Sequence, residues 1–357
     1  MAAKWGMPRF SRIVVKERMV KLVGLIGLAA ALQVGAGVGM AYVAGFHATK
    51  EALDHLRWGW LLGIAGGLLL ALVGSYYATG GIHKVEKGPG LRPYQLRSVV
   101  LASFGGFLAH GGSGLDKYAI KAAGGDEHDA EVRVTAFAGL EHGVLSLLGT
   151  AAGITVLIMA LHAPPPDFSI PWAVIPVPGF LLAFWLAGRY ESRLRDADGW
   201  RGKLGAFLQS ILLIRQLFTH DLRRHPAVIG MFVFWLAEMF AIWSGLAAFG
   251  YNMNAAQLVV GAGTGMLFTR RTGPLAGAGI LMVALSVTIW QSGAPFAVAV
   301  AGVFAYRVLA LWLPMPIGLA QIPTLREMGI EQEPGAEGRA AEAKEPALPS
   351  GLDRVRG

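Results

Sequence analysis

The chain contains no cysteine. That excludes disulfides, thiol nucleophiles and thiolate metal sites, and says nothing about compartment. Charge is scarce as well. Asp, Glu, Lys and Arg are 15% of 357 residues, whereas hydrophobic residues are 54%. A soluble domain has about 25% charged residues, so most of this surface cannot face water. No phosphate-binding loop, Gly-x-Ser-x-Gly, His-Glu-x-x-His or dinucleotide fingerprint occurs. Gly261–Gly265 (GAGTG) reads as a helix-packing face. The acidic run Asp126–Glu131 (DEHDAE) lacks the spacing of a metal-ligand set and reads as a solvated loop; His220 and His225 read as interfacial loop residues. No catalytic residue, metal or cofactor is assigned, and the chain is not read as an enzyme.

Glycine, by contrast, is abundant, at 49 residues, about twice the usual share of roughly 7%. In lipid, glycine suits close helix–helix approach and broken helices. Mean hydropathy is +0.50 and the net charge is +8. The basic residues flank apolar runs, so they set topology and meet anionic headgroups rather than nucleic acid.

The expected fold is all-α: a polytopic helical membrane protein with about six full spans plus re-entrant or broken helices. Lys4, Arg9, Arg12, Lys16, Arg18 and Lys21 precede the first span, which places the N-terminus in the cytoplasm. Met19–Phe46 is too long for the apolar region of a cleavable signal, about 7–15 residues. The spans are Lys21–Phe46, Trp58–Thr79, Val134–His162, Trp172–Tyr190, Pro226–Gly250 and Ala294–Ala320. Ser98–His110 has about 13 apolar residues where about 20 are needed to cross. Reading it as a re-entrant half helix keeps the basic segments around it and at Arg189–Lys203 on one side. Leu204–Thr219 is expected to be interfacial or partly inserted. Ala255–Thr269 and Leu275–Gly293 flank Arg270–Arg271 and Gly273–Pro274 and look like a broken hairpin. Three segments result: a basic cytoplasmic stretch 1–18, a membrane domain 19–321 and a polar cytoplasmic tail 322–357 expected to be disordered. The location is the inner (cytoplasmic) membrane, both termini cytoplasmic.

Charge inside the apolar runs is the strongest functional signal. Arg307 lies mid-run, Glu238 is central in its span, and Arg270 and Arg271 interrupt another stretch. Such a group at the bilayer centre costs roughly 2.5–3.5 kcal/mol and usually faces a protein interior or wet cavity. Arg307 reads as a phosphate or headgroup ligand, since a guanidinium binds such groups in a bidentate way, or as the structural partner of Glu238. Arg270 and Arg271 precede a turn whose second half, starting near Gly273, would offer free N–H groups; an ordinary basic loop is the alternative. Glu141 and His142 line a cavity or pair with Arg133 or Lys117.

Gly273-Pro-Leu-Ala-Gly-Ala-Gly279, Ala299–Tyr306–Arg307 and Leu313-Pro-Met-Pro-Ile-Gly318, with Gly111–Asp116 and Arg133–Leu147, resemble the flippase-like transmembrane region of the lysylphosphatidylglycerol synthase family. The resemblance covers roughly residues 19–321, without an aminoacyl-transfer domain. It implies Tyr306 and Arg307 as a functional pair, Glu141 as the acidic residue after a re-entrant segment, and Asp116 and Lys117 as the remnant of a Gly-Asp/Glu-x-x-Arg element. Met282 stands where a Glu often follows the glycine turn. The implied function is binding and flipping of a lipid with a charged or glycosylated headgroup, the partner being an anionic or isoprenoid-linked lipid. A scaffold or regulatory subunit for a lipid-modifying partner stays open. So does an intramembrane lipid-group transferase using Asp116/Lys117 and Glu141/His142, and so does a homo-oligomer.

Overall fold

A computed structural model describes residues 9–85, 88, 90–104, 112–161, 168–194, 199–219, 226–267 and 277–328. Among the described residues the regular elements are helices, with no strand. In chain order they are α1 (Arg9–Ala44), α2 (Phe46–Asp54), α3 (Gly59–Lys84), α4 (Pro93–Phe104), α5 (Gly112–Ala122), α6 (Glu127–Ile158), α7 (Ser169–Val174), α8 (Pro176–Leu194), α9 (Gly199–Thr219), α10 (Pro226–Ala248), α11 (Ala255–Leu267), α12 (Ile280–Gln291), α13 (Phe296–Trp312), α14 (Pro314–Leu319) and α15 (Ile322–Glu327). Six stretches are long and apolar enough to cross a membrane: Val23–Ala44, Gly59–Lys84, Glu127–Ile158, Ser169–Leu194, Pro226–Ala248 and Phe296–Leu319. They match the six expected spans one for one. Lipid offers backbone groups no hydrogen-bond partners, so helices are the form such runs take. The fourth span is α7 and α8 together, interrupted at Ile175 because Pro176 has no N–H to continue the ladder.

The centre is α10. Of its apolar window 67% is buried, against 11% for Ser169–Leu194, which lies at the rim. It crosses α3 in antiparallel fashion, with glycines at the contact. A Cβ on Gly74 would lie 2.5 Å from the Phe234 nitrogen and 2.6 Å from the Gly230 carbonyl oxygen. One on Gly230 would lie 2.6 Å from both the Ala78 nitrogen and the Gly74 oxygen. The two helices thus meet main chain to main chain, in a reciprocal pattern.

Hydrogen bonds between ends assign the faces. Arg133, near the start of α6, donates through Nη1 to the carbonyls of Ile82, His83 and Val85 at the end of α3. The end of α3 and the start of α6 therefore share a face, and α4 and α5 between them return to it. Tyr251 Oη donates to Gly293 O at 2.8 Å, so the end of α10 and the start of α13 share the other face, and α11–α12 return to that one. Both pairs of short helices are re-entrant, from opposite faces.

The order span, connecting helix, span, re-entrant pair, span therefore occurs twice: α1, α2, α3, α4–α5, α6, then α7–α8, α9, α10, α11–α12, α13. With three spans each, the two halves traverse the membrane in opposite senses, and the first span of each packs on the last span of the other. Ala29 packs with Leu311 and Gly37 lies against Phe304, so α1 is antiparallel to α13. Gly149 and Gly153 lie against Trp172 and Ser169, so α7 is antiparallel to α6. The order of elements is thus repeated in inverted sense, and the central spans of the two halves, α3 and α10, meet at the Gly74–Gly230 contact.

Two expectations change. The acidic run Asp126–Glu131 is not a loop: α6 begins at Glu127, and the Asp126 side chain caps it by accepting from the Asp129 N–H at 2.6 Å. Acidic residues suit a helix N-terminus because its N–H groups and dipole favour negative charge. The polar stretch before it contains α5. Of the expected half helix, Ser98–Phe104 is the end of a helix beginning at Pro93, and residues 105–110 lie outside the described residues. α9 buries Ala206, Leu213, Ile214 and Leu217 in the core, consistent with partial insertion.

Candidate functional site: a polar layer at mid-depth

An α-helix rises about 1.5 Å per residue and the hydrocarbon core is about 30 Å thick. Glu238 is ten residues from the Ala248 end of α10, and Tyr306 ten from the Phe296 start of α13. Each therefore sits about 15 Å from the shared face, at mid-membrane. Tyr306 Oη donates to Glu238 Oε2 at 2.6 Å. Both are buried, as is Arg307. Arg307 follows Tyr306 on the same turn but is rotated by about 100° around the helix, toward another sector. Charges of both signs thus occupy one depth, and the carboxylate is held by a phenol.

Glu141 is buried in α6, and its carbonyl accepts from Trp235 Nε1 at 2.8 Å. Trp235 lies one turn from Glu238 on α10. The two expected partners of Glu141 are engaged elsewhere: Arg133 Nε bonds both Asp129 carboxylate oxygens at 2.9 Å, and Lys117 Nζ lies 2.6 Å from Glu127 Oε1. Asp116 is buried in α5, while Lys117 is partly exposed at the face where α5 leaves the membrane. Of the expected residues, then, Glu238, Tyr306, Arg307 and Glu141 come to the middle; Lys117 does not. Arg270 and Arg271 lie outside the described residues, as does the expected helix start near Gly273. The regular part of α12 begins at Ile280, after Gly277 with φ +66° and a Gly279 N-cap that makes no side-chain cap bond.

Three features escaped the sequence reading. Gln33 is only 1% exposed in the middle of α1, and neither its amide nitrogen nor its oxygen has a hydrogen-bond partner among the described residues. A lone carboxamide in an apolar run was the available signal. Arg133 proves to be a clamp on the α3 terminus, satisfying carbonyls that a helix end leaves without partners. Trp235 reads as core until its N–H is located. The GAGTG stretch does serve packing: Gly261 and Gly265 lie against Leu285 and Thr288 of α12 and against Ser292 at its C-cap. Among the described residues no group of three or more His, Cys, Asp or Glu residues is placed to hold a metal.

These features define the class: an α-helical, multi-span integral membrane protein with a buried polar layer. No protein-family model, curated protein or solved structure matches the chain.

Proposed function

We propose that the protein binds a lipid with a charged or glycosylated headgroup and moves it between leaflets through the polar layer of α1, α10, α12 and α13. The observation that carries this reading is the coincidence of Glu238, Tyr306 and Arg307 at mid-depth beside a re-entrant helix pair. Ionisable groups at that depth are costly, and mark substrate paths in membrane proteins. Inverted repeats with broken helices around a midplane site are how many secondary transporters expose one site to each side in turn. The likeness of the glycine turn, Tyr306–Arg307 and Leu313–Gly318 to the flippase-like family supports the same reading. Lys84, Arg92, Arg97, Lys121, Arg193 and Lys203 gather on one face, against Lys50 and Arg57 on the other. The positive-inside rule reads that face as cytoplasmic, which supports the reading of both termini as cytoplasmic in a protein of the cytoplasmic membrane.

The test is native mass spectrometry of purified protein, wild type beside Arg307→Ala, followed by scrambling of a headgroup-labelled lipid in vesicles. A defined lipid retained by wild type and lost from a folded mutant, with slowed scrambling, is expected. Identical non-selective adducts on both would remove the reading. A scaffold role has one observation in its favour: the Tyr306–Glu238 bond ties two spans together, as a purely structural pair would.

A further inference from the structure

α13 ends at Trp312 and α14 begins at Pro314, which has no N–H to carry the ladder on. Against this junction, α3 and α4 leave an open groove of about 310 Å³. α3 supplies Leu68 and Leu69, α4 supplies Leu101, and the junction supplies Leu313, Pro314 and Ile317. The lining is apolar throughout. Leu68 is buried, whereas Leu69 is 52% and Ile317 37% exposed at the rim. The two walls are pinned together from within: Ser98 Oγ, buried in α4, donates to Gln321 Oε1 at 3.0 Å, just past the end of α14.

The groove lies inside the hydrocarbon. Leu69 is ten residues from the Gly59 start of α3, about 15 Å deep and so at mid-membrane. Leu101 is eight residues from the Pro93 start of α4, about 12 Å from the basic face. A gap left empty there would deny its lining the dispersion contacts that packing supplies. A partner helix, about 10–12 Å across with its side chains, is too wide for a groove of this volume. A single hydrocarbon chain is narrow enough. Tails gain no transfer energy on passing from one hydrocarbon environment to another, so preference for one lipid over another has to come from the headgroup.

α4 carries a source of that preference on the same face. Arg97 and Tyr94 precede Leu101 by four and seven residues, so the three form one stripe. Arg97 is exposed and makes no ion pair among the described residues. It sits about 6 Å nearer the basic face than Leu101, and a long basic side chain reaches from such a position to the headgroup level. Its guanidinium suits bidentate contact with a phosphate. Tyr94, 47% exposed at the start of the helix, suits the membrane–water boundary.

We propose that the groove seats one acyl chain of an anionic phospholipid from the leaflet on the basic face, with Arg97 beside its phosphate. This seat shares no residue with Glu238, Tyr306 and Arg307, and it stands whether or not any lipid is moved.

The experiment reconstitutes the full chain in vesicles containing phosphatidylglycerol with a photoreactive diazirine near the end of one acyl chain, or the phosphatidylcholine analogue, and maps labelled residues by mass spectrometry. Leu181, 64% exposed at mid-span on the rim helix α8, reports contact with bulk lipid. Wild type should take label at Leu69 and Leu101 several-fold above Leu181, and more from phosphatidylglycerol than from phosphatidylcholine. Arg97→Gln should reduce that preference about fivefold, one basic residue near an anionic headgroup being worth about 1 kcal/mol. Leu101→Trp, which fills the groove, should bring labelling at Leu69 down to the Leu181 level, and Arg307→Ala should leave it unchanged. Groove labelling no higher than at Leu181, or equal from the two lipids in wild type, overturns the seat. Excess label lost in Arg307→Ala but kept in Leu101→Trp puts the lipid in the polar layer and also overturns it. Labelling as expected, with no scrambling of lipid in the same vesicles, leaves the seat standing and removes the transport reading. Should Leu101→Trp fail to fold, Leu69→Trp at the exposed rim decides by the label at Leu101.

Discussion

The two halves of this molecule share one plan and use it differently. In the first, α5 and the start of α6 place their charges at the membrane face. There Arg133 joins Asp129 to the end of α3, and Glu127 gathers Lys117 and Lys121. In the second, α10 and α13 carry Glu238, Tyr306 and Arg307 into the middle, and the re-entrant pair packs through glycine against Thr288 and Ser292. Glu141 apart, the first half uses its charge to fix helix ends, whereas the second carries its charge into a polar layer. An inverted repeat thus offers two equivalent frames, of which one can hold the frame together while the other supports a site.

The comparison can be broken most severely at the contact between α3 and α10. Gly230→Val places side-chain atoms where a Cβ alone would already lie 2.6 Å from main chain. Backbone cannot yield as a flexible side chain does, so we expect loss of monodisperse folded protein in size-exclusion chromatography, beyond the 1–3 kcal/mol or so of ordinary overpacking. Next is the frame of the first half. Arg133→Ala strips Asp129 and three carbonyls of their donor, and should cost about 3 kcal/mol. A clear fall in melting temperature, with the lipid preference of the folded fraction unchanged, would separate frame from site; an unchanged melting temperature would remove the clamp. The smallest change is in the second half. Tyr306→Phe deletes one hydroxyl and one bond to a carboxylate, a loss of about 1.5–3 kcal/mol if Glu238 is charged. Paired with Glu238→Gln in a double-mutant cycle, a coupling near zero would show that the bond holds nothing together.

Much of the architecture was legible before any coordinates. Span length and hydropathy locate all six crossings, and the shortness of Ser98–His110 and of Ala255–Thr269, together with the parity of the basic loops, points to re-entrant segments. What misled was polarity read without caps. Asp126, Glu127 and His128 are exposed, as expected, yet the run starts a helix rather than forming a loop, because an aspartate at that position supplies the acceptor the first turn needs. The polar layer was half legible. Glu238 and Arg307 stand out as charges in apolar runs, but the partner that meets Glu238 is a tyrosine 68 residues away. Gln33 gave almost no signal, since one amide hardly alters the hydropathy of a span.

Sequence by itself determined that this chain is helical, how many times it crosses, and which charges enter the membrane. Hydrocarbon satisfies no backbone group, so run length and apolarity leave the helix as the only form. Tertiary structure alone decided which face of each helix turns inward, that α3 and α10 meet main chain to main chain at Gly74 and Gly230, and that Gln33 is buried without a hydrogen-bond partner among the described residues. Those facts depend on the rotation of each helix about its axis. Rotation is set by close packing between residues far apart in the chain, which periodicity within a single apolar run does not encode.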